Sequence, residues 1–269
     1  MVIIIMFFFV SFFSSCNTNF GGFFVSTDLD LRLEAKDDFI FLKNNDLNTN
    51  FGSEYSFMVI ADTHITYRNA NGFEKINNIV SSDPDIKFIV ITGDITQRGR
   101  REEIERFIEI ADFLNIPVYP VIGNHDINFN NWVNWRDLIG SSSYRVNGGN
   151  TSLFILDSAN SFFGKEQLDW LEDELNSTLS ERIFIFTHTN IFVERPVGIP
   201  LITSARERAR LISILGNRAD YMFSGHSHEN LLREAGGVMF LTVENFNSNN
   251  VYCIVRVSNE GISYSLERL

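Results

Sequence analysis

Apolar residues along this chain gather in short, nearly unbroken runs at 56–61, 87–92, 118–122, 152–157, 182–187, 219–224, 238–243 and 251–257. Each run has the length of a strand, and the lack of polar alternation marks strands covered on both faces. Between several of them the period changes. Over 100–114, Ile104, Phe107, Ile108 and Ala111 recur at helical spacing among charged residues, and over 165–175 Leu168, Leu171 and Leu175 share one face. Further helices are expected at 73–81, 132–139 and 203–215. Strands alternating with helices predict an α/β fold with helices packed outside the sheets. No helical pattern separates 238–243 from 251–257, so these two are expected to pair antiparallel.

The first 53 residues read differently. Positions 2–13 are apolar except Ser11, and Ser14-Ser15-Cys16 leads into a polar stretch. That run is shorter than the roughly 20 residues a membrane-spanning helix needs, which favours an export signal over 1–16. Small residues ahead of Cys16 resemble the lipobox of bacterial lipoproteins. The resemblance implies an exported protein anchored to the membrane through a lipid on Cys16; a plain cleaved signal, leaving a secreted or periplasmic protein, is the alternative. Residues 17–53, rich in Asn, Asp, Gly and Phe, read as a tether followed by a hairpin with strands at 28–33 and 39–43. Residues 54–269 are expected to form the one catalytic domain.

Charge narrows the partners. A formal charge of -12 leaves no Lys and Arg clusters for a phosphate backbone, so no nucleic-acid partner is expected. An acidic protein that handles an anionic substrate must create positive potential locally, and bound metal does so. Cys253, inside the apolar run 251–257, reads as a small buried hydrophobe.

The chain has five His, and every one stands at the carboxyl end of a predicted strand. His64 lies in Asp62-Thr63-His64, His125 in Gly123-Asn124-His125-Asp126, and His188 follows the run at 182–187. His226 and His228 lie in Gly225-His226-Ser227-His228, and Asp94 follows Gly93 in the same kind of position. In open α/β sheets that edge delivers its loops into one crevice, where ligands bind. Residues two apart on extended backbone face the same side, so Asp62 with His64, and His226 with His228, can each aim at one point. Gly93, Gly123 and Gly225 permit a sharp turn or close approach just ahead of Asp94, Asn124 and His226. One such His is commonly a capped surface residue. The conjunction points instead to metal. Mixed nitrogen and oxygen donors suit Mn, Fe or Zn better than Ca or Mg. Their number exceeds one tetrahedral centre and fits two divalent ions, the arrangement used for in-line displacement at phosphorus.

Asp62-x-His64, Gly93-Asp94, Gly123-Asn124-His125-Asp126, His188 and Gly225-His226-x-His228, in that order, resemble the signature of calcineurin-like metallophosphoesterases. The resemblance implies a four-layer α/β/β/α sandwich of two mixed β-sheets flanked by helices. It implies that Asp62, His64 and His228 bind one metal, that Asn124, His188 and His226 bind a second, and that Asp94 bridges both. His125 would protonate the leaving oxygen and Asp126 would orient it. A metal-bound hydroxide would attack phosphorus in a small phosphorylated substrate, a phosphomonoester or a phosphodiester. Leu156-Asp157-Ser158, followed by Gly164, Gln167, Leu168, Trp170 and Leu171, is similar to the branch containing class III cyclic-nucleotide phosphodiesterases. A 3',5'-cyclic-nucleotide phosphodiesterase is therefore one alternative, and a non-catalytic binding module on the same fold is another. In Gly93-Asp94-Ile95-Thr96-Gln97-Arg98-Gly99 the family's second acidic residue is replaced by Gln97, and Arg98 is either a phosphate clamp or a structural partner. Loops at 128–135 and 192–202 are expected to shape the pocket.

Overall fold

Within β2 (Tyr55–Ile60), Phe57 and Val59 join one apolar cluster while Met58 and Ile60 join another, as the two-residue period of a pleated strand requires. In β3 (Ile86–Thr92), Phe88 and Val90 alternate with Ile89 and Ile91 in the same way. Two further strands repeat the pattern: β6 (Thr151–Ile155) with Leu153 and Ile155 against Phe154, and β7 (Arg182–Phe186) with Phe184 and Phe186 against Ile183 and Ile185. Strands with two apolar faces must be covered twice, which dictates layers.

The computed structural model describes residues 29–35, 38–42, 44–69, 72–192, 202 and 204–269. The expected export signal, Cys16, the first part of the tether and most of the 192–202 loop lie outside them. Among the described residues the remaining strands are β1 (Asn48–Thr49), β4 (Val118–Val121), β5 (Tyr144–Gly148), β8 (Tyr221–Ser224), β9 (Leu231–Ala235), β10 (Val238–Thr242), β11 (Val251–Ser258) and β12 (Gly261–Arg268). They build a five-stranded sheet in the order β12-β11-β2-β3-β4 and a seven-stranded sheet in the order β1-β5-β6-β7-β8-β10-β9. Both sheets are mixed. The facing surfaces enclose a core dominated by aromatics, with the Phe57 ring stacked on Phe88 at 4.8 Å and edge-on to Phe184 at 5.0 Å between ring centroids.

Helices α1 (Leu29–Leu33) and α2 (Asn44–Leu47) precede the sheets. The outer face of the five-stranded sheet is covered by α3 (Phe73–Ser82), α4 (Arg101–Leu114) and α5 (Trp132–Leu138). Against the other sheet lie α6 (Lys165–Ser177) and α7 (Ala205–Leu215), and a short α8 (Phe246–Asn249) follows β10. The result is the expected α/β/β/α sandwich. Since β2, β3 and β4 run parallel, as do β6, β7, β8 and β10, the carboxyl ends of both sets collect loops along one edge of each sheet.

Two expectations are corrected. The stretch 28–33 is not a strand over its described residues: Leu29–Leu33 is one short helix whose Leu29 and Arg32 are buried, and Phe39 only bridges to Gly140. Likewise β10 and β11 do not pair with each other. Each forms an antiparallel hairpin with a strand that apolar patterning did not reveal, β9 and β12 respectively, in different sheets. No helix among the described residues is long and apolar enough to cross a membrane.

Candidate active site

Eight of the predicted site residues emerge from the carboxyl ends of the parallel strands. Asp62 and His64 follow β2, Asp94 follows β3, Asn124 and His125 follow β4, His188 follows β7, and His226 with His228 follows β8. Backbone hydrogen bonds stitch these loops together: Asp62 N–H donates to Gly93 O, His64 N–H to Asp94 O, and Gly225 N–H to His188 O. The loop after β2 is thereby tied to the loop after β3, and the loop after β7 to the loop after β8.

Close approach explains the glycines. A Cβ on Gly93 would fall 2.4 Å from His188 Nδ1, one on Gly123 2.1 Å from Asp94 N, and one on Gly225 2.6 Å from Asp62 Oδ2. Asp62, His64, Asp94, His226 and His228 themselves occupy left-handed backbone, with φ of 53°, 44°, 47°, 68° and 55°. Such conformations cost L-residues roughly 1–3 kcal/mol each and persist where surrounding contacts impose them, characteristically at functional sites.

The side chains form three overlapping groups: Asp62, His64 and His228; His64, Asp94 and His125; and Asp94, His188 and His226. Within each, candidate ligand atoms lie within 4.8 Å of one another. Asp94 belongs to two of these groups and sits between the outer ones. Its Oδ1 is 3.4 Å from His188 Nε2, and its Oδ2 is 3.9 Å from His125 Nε2. Asp62 Oδ2 accepts from His226 N–H at 3.0 Å while Oδ1 faces His228 Nε2 at 3.5 Å.

The donor set can be tested for a cation through His188. Its Nδ1 donates to the Thr92 carbonyl at 3.0 Å, so in the neutral ring Nε2 carries a bare lone pair. That nitrogen meets Asn124 Oδ1 at 3.0 Å, His226 Nδ1 at 3.0 Å and Asp94 Oδ1. Lone pairs converge there, and either protons or a cation must separate them. His64 Nδ1 and His226 Nε2 are buried without a hydrogen-bond partner as well. The residues fit divalent metal.

Without metal, protons fill that role. Burial opposes a charged His188, yet Asp94 and Asp62 outweigh it and push its pKa up to about 9. Burial and the neighbouring His188 push His226 down to about 4. Asp94, despite burial, is held well below the usual carboxylate range by His188 and His125. Since His188 is raised above its ordinary 6.5, the stability it contributes is present below that pH and lost as pH rises toward about 9. In chelator, the melting temperature should fall between those two pH values. Added divalent metal should raise it more at the upper one, because metal competes with the proton on His188. An equal metal-induced shift at both would contradict this ligand role.

The sequence profile of the family described as calcineurin-like phosphoesterase matches residues 55–230. This chain belongs to the calcineurin-like phosphoesterases. It is 28% identical over 197 residues to a protein of Arcobacter nitrofigilis named "Probable glycerophosphodiester phosphodiesterase", covering 63% of this chain and 70% of that one. It is 27% identical over 157 residues to a Xenorhabdus bovienii protein named "Probable cyclic nucleotide phosphodiesterase", covering 54% of this chain and 62% of that one. Among solved structures, a dimetal phosphatase from Danio rerio superposes with a TM-score of 0.56 at 16% identity, over 79% of this chain and 98% of that one. A purple acid phosphatase from yellow lupin superposes with a TM-score of 0.65 at 11% identity, over 81% of this chain and 52% of that one. These two likenesses establish the fold. With the metal-fitting cluster, family membership makes this chain a metal-dependent phosphoesterase with a dinuclear type of site.

One role in this phosphoesterase differs from expectation. Asp126 does not orient the His125 ring at Nδ1; the Gln97 carbonyl accepts there at 2.8 Å. The Asp126 carboxylate instead accepts from the backbone N–H groups of Ile95, Thr96 and Gly123 and from the Thr96 hydroxyl, which ties the loop after β3 to the loop after β4. Arg98 is exposed and makes no ion pair with a described residue. Asn245, which sequence reasoning missed, places Nδ2 3.2 Å from His228 Nε2 while its Oδ1 caps α8 by accepting from Ser248 N–H. It lies past the family-matched stretch, and its only sequence signal is its position just after the run at 238–243.

Proposed function

We propose that this phosphoesterase hydrolyses a small phosphodiester, with Asp62, His64 and His228 holding one divalent ion, Asn124, His188 and His226 a second, and Asp94 shared between them. One observation carries the ligand assignment: Asp94 lies between two groups of candidate ligands that come from both sheets. Mixed His, Asp and Asn donors favour Mn, Fe or Zn. When bound, such a pair supplies Lewis-acid stabilisation of phosphoryl oxygen and an activated water.

The chain's own residues provide the rest. His125 Nδ1 keeps its proton because its partner, the Gln97 carbonyl, can only accept. Nε2 is therefore the nitrogen that protonates the leaving oxygen, and the resulting neutral ring is the tautomer that Gln97 already holds. The Thr92 carbonyl fixes the His188 tautomer in the same way. His125→Ala is expected to keep its metal and lose about 10²–10⁴-fold in kcat, the range for general-acid help. Metal analysis alongside steady-state kinetics checks this, and an unchanged kcat would remove His125 from the mechanism.

Diester preference is supported by the names of the relatives in Arcobacter nitrofigilis and Xenorhabdus bovienii. The second of these names, which two further relatives share, favours a cyclic nucleotide as an alternative substrate. Assays with added Mn on an aryl phosphate, a bis-aryl phosphate and a 3',5'-cyclic nucleotide separate the readings. Hydrolysis of the monoester alone would overturn diester preference.

A further inference from the structure

The Leu156-Asp157-Ser158 segment supplies none of the candidate metal ligands, yet it is built as carefully as the site itself. β6 and β7 run parallel with Ile155 opposite Phe186, so the residues that leave β6 lie beside those that leave β7. Ser158 is fully buried there. Its hydroxyl oxygen accepts from the Thr187 hydroxyl at 2.7 Å and from Thr189 N–H at 2.8 Å, and its carbonyl accepts from the Thr189 hydroxyl at 2.8 Å. One residue thus brackets His188 from both sides along the chain. The His188 ring is held separately, by the Thr92 carbonyl of the other sheet.

Ser158 is itself fixed from behind. Arg32, buried completely, grips Asp157 in bidentate fashion, Nε to Oδ2 at 2.7 Å and Nη2 to Oδ1 at 2.9 Å. Asp157 Oδ1 also accepts from Ala159 N–H at 3.0 Å. Gln167 of α6 closes the peptide of Asp157: its Oε1 accepts from Asp157 N–H and its Nε2 donates to Asp157 O, each at 2.8 Å. A buried ion pair whose carboxylate and peptide are also held by hydrogen bonds is a costly arrangement that contributes geometric definition more than net stability.

From this chain of contacts we infer that Ser158 is a positioning residue for His188, and that the Arg32–Asp157 pair makes the segment ahead of β2 part of the support for the active site. The inference rests on the proposed role of His188 as a ligand to one of two ions. Losing such support costs about 10–100-fold in metal affinity, and here it should act on one ion only.

Calorimetric titration of the metal-free protein with Mn tests it. Wild type should take up two ions. Ser158→Ala should retain the site of Asp62, His64 and His228 while its other site weakens about 10–100-fold. Arg32→Met should reproduce that split, and Thr187→Val, which removes a single bond to Ser158, should show it in milder form and serve if Ser158→Ala does not fold. Tyr55→Phe, which removes the buried hydroxyl contact to Thr151 far from the site, should titrate as wild type. Wild-type affinity at both sites in folded Ser158→Ala, or in folded Thr187→Val where the former is unfolded, would overturn the inference. A wild type that binds no pair of ions would overturn the functional reading first, and this one with it.

Discussion

Replacing Asp94 with alanine is expected to lower kcat/KM by at least about 10⁴-fold, the scale seen when a group on which a whole catalytic unit depends is removed. Asp94 is almost wholly buried and lies between the Asp62 group and the His188 group. Its Oδ1 accepts from His125 N–H at 2.8 Å, so the same carboxylate also places the proposed acid. Loss of one carboxylate thus removes the shared ligand and loosens the residue that delivers the proton. The metal-free fold should suffer less than activity does, because without the Asp94 carboxylate His188 can shed its proton and need not remain an unpaired buried charge. Kinetics and thermal melts in chelator measure the two effects. Retention of a tenth or more of the wild-type kcat/KM would exclude a shared role.

Gly123→Ala is expected to damage folding and activity together. An added Cβ would sit 2.1 Å from Asp94 N and 2.4 Å from Asp94 Oδ1, closer than any real contact allows. Neither loop can yield alone, because Asp126 joins them through Gly123 N–H on one side and Ile95 and Thr96 on the other. Overpacking of this severity costs about 3 kcal/mol or more. In a domain of this size that corresponds to a fall in melting temperature of roughly 10 °C. A melt within about 2 °C of wild type, with activity intact, would show that the loops have slack that the packing denies them.

The site was legible in the chain because strand ends and metal-ligating residue types coincide. Asp62, His64, Asp94, Asn124, His188, His226 and His228 can be picked out without coordinates, since each directly follows an apolar run. The central strands were legible for a related reason: two covered faces leave unbroken apolar runs at 57–60 in β2, 88–91 in β3 and 183–186 in β7. Edge strands lack that property. In β12, Ser263, Tyr264, Ser265 and Glu267 are all at least partly exposed, and in β9 Arg233 and Glu234 are exposed, so neither resembles a buried strand. Pairing in space was hidden too, because β10 and β11 are neighbours in sequence but belong to opposite sheets.

Roles that depend on long-range contacts were the least accessible. Asp126 stands next to His125 in sequence, which suggests an orienting partner; in three dimensions its carboxylate points to the loop after β3. Gln97, a departure from the family pattern, supplies the orienting acceptor through its backbone, which no side-chain identity could announce. Arg32 read as one residue of a hairpin strand, whereas it is buried against Asp157, 125 positions away. Asn245 lies after a strand like the other site residues, but Asn is common in turns and no second ligand type accompanies it.

Everything proposed for this phosphoesterase depends on two ions sharing Asp94. The most direct measurement is elemental analysis of wild-type protein loaded with excess Mn and then freed of unbound metal. Two ions per chain are predicted, and saturation at a single ion, or none, would contradict the account.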